Sequence, residues 1–217
     1  MRLRLREPVN ALTHLLGAVL SVIGLVMLIV AAAQHGSVRQ IVGVSIFGAS
    51  LVMMYCVSAV YHASTLSERG RGHFQRIDHV MIYVLIAGSY TPICLIVLGG
   101  RLGMALLITV WALAALGVFQ KIVWMHAPRW LSTALYIGMG WIAVILARPL
   151  IAASSPGFFL WLLAGGIAYT VGAVVYAKKW PRGGAKIFGS HEIWHLFVMA
   201  GSFAHYWAIL AYVARPG

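Results

Sequence analysis

Carboxylates are what this chain has least of: four Asp and Glu in 217 residues, against sixteen Lys and Arg, with 9% of positions charged and 62% apolar. A soluble globular domain carries about a quarter of its residues as charges. So small a complement excludes one, and with it an ordinary soluble enzyme. Cysteine is scarce too. The two present, Cys56 and Cys94, fall within apolar runs, where a free thiol behaves as a small hydrophobe, so neither a disulfide framework nor a thiolate metal centre is expected. Internal repeats, heptads and low-complexity tracts are missing, and Arg182-Gly183-Gly184-Ala185-Lys186 does not match a phosphate-binding loop.

What is there is one hydrophobic run after another. A membrane-crossing helix needs about 20 predominantly apolar residues, and seven such runs are read near 12–33, 41–62, 77–98, 102–119, 130–147, 158–177 and 191–213. The links between them are short, which leaves no room for a second domain. The expected fold is an all-α integral membrane protein, a single seven-helix bundle. The first run has a basic start and ends on Ala31-Ala32-Ala33, like a signal peptide. Its apolar stretch exceeds the usual core of about 7–15 residues, so it is expected to remain as a helix, with Pro8 in its first turn. Pro92 removes a backbone donor and predicts a kink in the third span. Ala164, Ala168 and Gly172, four apart, predict a close helix contact on the sixth.

Basic residues of membrane proteins collect on cytoplasmic loops. One alternate set of ends and links holds Arg2, Arg4 and Arg6, then Arg69, Arg71 and Arg76, then Lys121 and Arg129, then Lys178, Lys179, Arg182 and Lys186. The other set holds only Arg39, Arg101, Arg148 and Arg215. This asymmetry predicts a cytoplasmic N-terminus and an extracytoplasmic C-terminus. Orientation and attraction to anionic lipid account for the formal charge of +12, so no nucleic-acid partner is implied.

Ionisable groups at the edge of hydrocarbon are costly unless paired or facing a cavity. Under this topology they gather at one depth: Ser58 and His62 end the second span, Asp78 begins the third, and His191, Glu192 and His195 begin the seventh. His191 and His195 lie one helical turn apart, the spacing two imidazoles need to share an ion. With His62 they would supply three ligands to Zn2+ and leave a fourth position open, as at a catalytic centre. Asp78 could hold a water or a ligand's second ring nitrogen. Glu7, Asn10 and His14 share one helical face and are candidates to orient the ligands, with capping of an interfacial helix as the alternative.

The pattern Glu7-x2-Asn10-x3-His14, Ser58-x3-His62, Asp78 and His191-x3-His195 resembles the signature of the progestin and adipoQ receptor family, in particular its haemolysin III branch. That resemblance spans essentially the whole chain. It implies a seven-helix fold with a cytoplasmic N-terminus in the bacterial inner membrane, and a zinc on His62, His191 and His195 with Asp78 and Ser58 close by. The long N-terminal domain of the animal receptors has no counterpart, which counts against a hormone-type receptor.

Chemically, the expected activity is hydrolysis of a membrane lipid, with metal-bound water as nucleophile. Asp78 would orient the water and take its proton, and Ser58 would donate to the developing oxyanion or fix the water. Related seven-helix metal proteins resemble lipid amide hydrolases, and the resemblance implies a ceramide-like substrate. Two other classes compete: a cytolytic protein and a receptor-like regulator with a structural zinc. His191-Glu192-x2-His195 also spells the H-E-x-x-H of a metalloprotease, but it stands at a helix start and no Asp-Gly pair supplies a further ligand, so Glu192 is expected to support the metal site, to act as a base, or to serve as an acid favourable at a helix N-terminus.

Overall fold

The computed structural model describes residues 5–124, 127–181 and 188–214. Arg2, Arg4, Arg182, Lys186 and Arg215, which entered the charge count, lie outside them, as does all of the glycine-rich stretch 182–186. Among the described residues every regular element is helical. The helices are α1 (Pro8–His35), α2 (Val38–Ala63), α3 (Glu68–Pro92), α4 (Gly100–Val123), α5 (Arg129–Ile145), α6 (Ala147–Ala153), α7 (Pro156–Lys178) and α8 (Ser190–Ile209). Six of these paths are long and apolar enough to cross a membrane, and α5 with α6 makes a seventh if counted as one span.

Local sequence sets the starts. Pro8 stands in the first turn of α1, where its missing N–H costs nothing. Ser37 and Gln40 form a reciprocal capping box at α2. Ser67 caps α3, and Ser155 caps α7 just ahead of Pro156.

The prolines act differently from the simple kink expected. Beyond Pro92 the third span continues through a wider π-helical turn, Ile93–Leu98, rather than breaking. The chain then reverses at Gly99 and Gly100, whose φ of 57° and 52° lie in the left-handed region that glycine enters without a Cβ clash. The fifth span, expected to run unbroken over 130–147, is bent by 55° between Ile145 and Ala147. Pro149 explains the bend, because its ring opposes the carbonyl four residues earlier, that of Ile145.

Burial runs opposite to the pattern of a soluble bundle. On α1 the inward stripe is small or polar, including Asn10, His14, Ala18 and Ser21, while Leu12, Leu16, Val19, Ile23 and Val26 are about half exposed. Large apolar side chains facing outward are stable against lipid and costly against water. Helices α1 and α2 pack side by side, α8 closes against α1, and α3 lies between α2 and α4. The main core joins Leu28, Phe47, Leu51, Ile209 and Val213.

The expected stripe on the sixth span is corrected: Ala164 is exposed, and α7 meets α8 through Gly165 and Gly172. Gly172 backs onto Phe197 and Trp194, and Gly165 onto His205.

Candidate metal centre and its cavity

Antiparallel packing brings the start of α1, the end of α2, and the starts of α3 and α8 to one end of the bundle. Three imidazoles converge there. Ligand-capable atoms of His62, His191 and His195 all lie within 4.8 Å of one another, close enough to share an ion. Their rings meet edge to face, with centroids 4.8–4.9 Å apart. His62 and His195 are each 1% exposed.

Hydrogen bonding decides which nitrogen of each ring is available. His62 Nδ1 donates to Glu7 Oε2 over 2.6 Å, while its Nε2 is buried without a protein partner. A carboxylate on one imidazole nitrogen fixes the tautomer and aims the lone pair of the other. At His195, Nδ1 lies 3.4 Å from Thr13 Oγ1. The Thr13 hydroxyl is committed to the carbonyls of Val9 and Asn10, so its oxygen accepts and His195 Nε2 keeps its lone pair. An unpaired buried ring nitrogen is expensive in a protein interior. Three imidazoles at one point, two of them oriented by Glu7 and Thr13, make a donor set that fits a zinc-type cation.

The face of α1 expected to orient the ligands packs against them. Glu7 bridges His62 and Arg71, whose Nη2 donates over 2.7 Å. The hydrogen bond from His62, opposed by partial burial and reinforced by Arg71 and Asn10, holds the Glu7 carboxyl down at about 2. The backbone N–H of Glu7 also donates to the His62 carbonyl over 3.1 Å, tying the start of α1 to the end of α2. Asn10 Nδ2 donates to Glu192 Oε1 at 2.9 Å and to Glu7 Oε2 at 3.3 Å. His14 stacks on His195 with centroids 3.6 Å apart and meets the Tyr55 ring edge-on.

Glu192 is held from two sides, by Asn10 and by the Gly189 backbone N–H, which donates over 2.8 Å across the first turn of α8. That is a capping role, and Glu192 does not line the cavity beside the histidines. Its geometry does not match a base poised over the metal of an H-E-x-x-H protease.

A cavity of about 440 Å³ opens on the cluster, and its walls include His14, Ser58, Asp78, His191 and His195. The Ser58 hydroxyl interacts with the Asp78 carboxyl by hydrogen bonding. Sequence reasoning placed both residues at this depth. It missed Arg71, counted as a loop charge but bound to Glu7. His79, next to Asp78 in the chain, lines the cavity as well, as does Lys121, expected on a cytoplasmic loop. Arg71 falls on the first turns of α3, a position that periodicity could have flagged. Nothing local marks Lys121, because the wall it joins comes from α5.

Met54, Ile82, Tyr136, Ala173, Trp194 and Val198 form a wall shared with a second cavity of about 110 Å³. The latter runs deeper into the bundle among apolar residues such as Leu85, Ile93, Phe159 and Leu162. A polar chamber at the helix ends thus adjoins an apolar slot within the membrane-spanning part.

The sequence profile described as haemolysin-III related matches residues 3–206. The chain is 42% identical over 209 residues to the Hemolysin-3 homolog of Bacillus subtilis (strain 168), covering 96% of this chain and 95% of that one. It is 40% identical over 207 residues to Hemolysin-3 of Bacillus cereus, covering 95% and 91%. The Monocyte to macrophage differentiation factor of Homo sapiens is 27% identical over 174 residues, covering 78% and 70%. No solved structure matches the chain.

Proposed function

The chain belongs to the haemolysin-III-related family, and from that premise we propose that it is a zinc-dependent hydrolase of a membrane lipid, acting on an amide linkage. The observation that carries this reading is the junction of two cavities. The polar one holds His191, His195, Asp78 and Ser58, and the apolar one extends from it into the bundle. An amphipathic molecule fits such a pair with its polar linkage at the histidines and its acyl chain in the slot.

His62, His191 and His195 would hold the metal, fixed by Glu7 through His62 and by Thr13 and His14 against His195. Zinc, when bound, supplies Lewis acidity at a carbonyl oxygen and acidifies water to a pKa of about 7. Asp78 takes the proton of the attacking water and passes it to the leaving amine. Ser58, being the hydrogen-bond neighbour of Asp78, aims that carboxylate at the water. The apolar walls keep bulk water from the acyl chain.

The loop-charge asymmetry supports placing this end of the bundle at the cytoplasmic leaflet of a bacterial inner membrane. The names of the Bacillus relatives raise cytolysis as a competing activity. The wall between the two cavities is mostly apolar and so is most of the lining of the deeper one, with Ser89, Thr170 and His205 as exceptions, which supports a buried acyl slot over a conducting path.

The deciding experiment combines elemental analysis with a lipid screen of purified protein. About one zinc per chain and release of fatty acid from a lipid amide are expected, with His191→Ala losing both. Metal-replete protein that cleaves no lipid amide would overturn the hydrolase.

A further inference from the structure

Lysine at the end of a membrane helix ordinarily extends its ammonium outward to water along an apolar stem. Lys121 does the reverse. On α4 the buried positions are Gly103, Leu106, Val110, Ala114, Gly117 and Lys121, a single stripe at helical spacing in which the lysine takes the last place. Its neighbours Ile122, Val123 and Trp124 are all more than half exposed, whereas Lys121 is 4% exposed. Its Nζ donates to Ser132 Oγ of α5 over 2.7 Å, and both residues line the polar cavity that also holds Asp78, His191 and His195.

An ammonium has three donors, and a buried one that lacks a counter-charge is costly. The chain has only four Asp and Glu side chains, and each has partners other than Lys121. Glu7 is bound by His62 and Arg71, Glu68 pairs with Arg6, Glu192 is held by Asn10 and Gly189, and Asp78 interacts with Ser58. None of the ion pairs among the described residues includes Lys121. Asp78 shares the cavity but is hydrogen-bonded to Ser58 rather than to the ammonium, so an anionic partner in direct contact with Lys121 would come with whatever fills the cavity.

We infer that Lys121 and Ser132 form an oxyanion-binding subsite, and that the lipid taken by this cavity carries a carboxylate or phosphate on the headgroup side of its amide. This rests on the lipid-hydrolase reading and narrows its substrate class to anionic N-acyl lipids. The amide lies at the histidines, the acyl chain in the apolar slot and the anion against Lys121.

The test is a binding measurement on zinc-loaded protein in neutral detergent, using two probes of equal chain length. N-palmitoylglycine carries a carboxylate and N-palmitoylethanolamine carries none. Wild type should bind the anionic probe about tenfold more tightly or better. Lys121→Met should abolish that preference while keeping the zinc content and the affinity for the neutral probe, and Lys121→Arg should restore most of it. Equal binding of both probes by wild type overturns the subsite, and that comparison needs no variant to fold. An undiminished preference in a folded Lys121→Met protein overturns it as well. Displacement of the anionic probe by millimolar inorganic phosphate, with no dependence on the acyl chain, would reassign the site to a soluble ion and overturn the lipid assignment. Failure of both probes to bind would sink the lipid reading itself, whereas equal binding sinks only the headgroup assignment.

Discussion

At the scale of single residues, the three histidines differ in how they are held, and this orders the expected effects of substitution. His62 has one nitrogen committed to Glu7 and the other orphaned, so His62→Ala should remove the metal outright, read as zinc per chain after dialysis. Glu7→Gln keeps a side chain of the same shape but loses the charged acceptor. Second-sphere changes of this kind cost about 10–100-fold in metal affinity, which competition with a chromophoric chelator would measure. Asp78 lines the cavity and is outside the histidine cluster. Asp78→Asn should therefore retain zinc and lower turnover by about 10²–10⁴-fold, the usual contribution of a general base. Loss of metal in that variant would instead make Asp78 a ligand.

Elements matter where helices approach each other most closely. Gly117 on α4 lies against the ring of Tyr83 on α3, and a Cβ there would overlap the ring. Tyr83 is fully buried in a cluster with Ala114 and Met139, so it has little space into which to move. Gly117→Val should destabilise the α3–α4 pair by about 1–3 kcal/mol, as overpacking of a tight core does. A lowered unfolding midpoint in detergent would show it. Because α4 carries Lys121 one turn further on, the same substitution should also disturb the cavity wall. The bend after Ile145 is the element that periodicity did not foresee. Hydropathy continues through Leu146 and Ala147, and only Pro149, four residues past the break, marks it. Composition reports whether a segment can lie in lipid; it carries little information on where the backbone changes direction.

For the whole molecule, the testable matter is sidedness. In a background lacking Cys56 and Cys94, a cysteine at Thr65, in the α2–α3 link, should be labelled by an impermeant maleimide only from the cytoplasmic side. A cysteine at Ser154, between α6 and α7, should be labelled only from outside. Reversal of the two would turn the candidate site to the other leaflet. A vesicle leakage assay with the reconstituted protein should show no dye release, since the deeper cavity is lined mostly by apolar side chains. By itself the sequence determined that the chain is helical and membrane-embedded, because the length and polarity of each run fix how it partitions between water and lipid. It also indicated the imidazole pair of α8, because positions four apart on one helix are neighbours whatever surrounds them. Only the tertiary structure decided that His62, expected at the same depth, brings its ring within sharing distance of that pair, that Arg71 binds Glu7 while Asn10 binds Glu192, and that Lys121 turns inward to Ser132. Those contacts join helices far apart in the chain, and local spacing cannot encode a distance that packing alone sets.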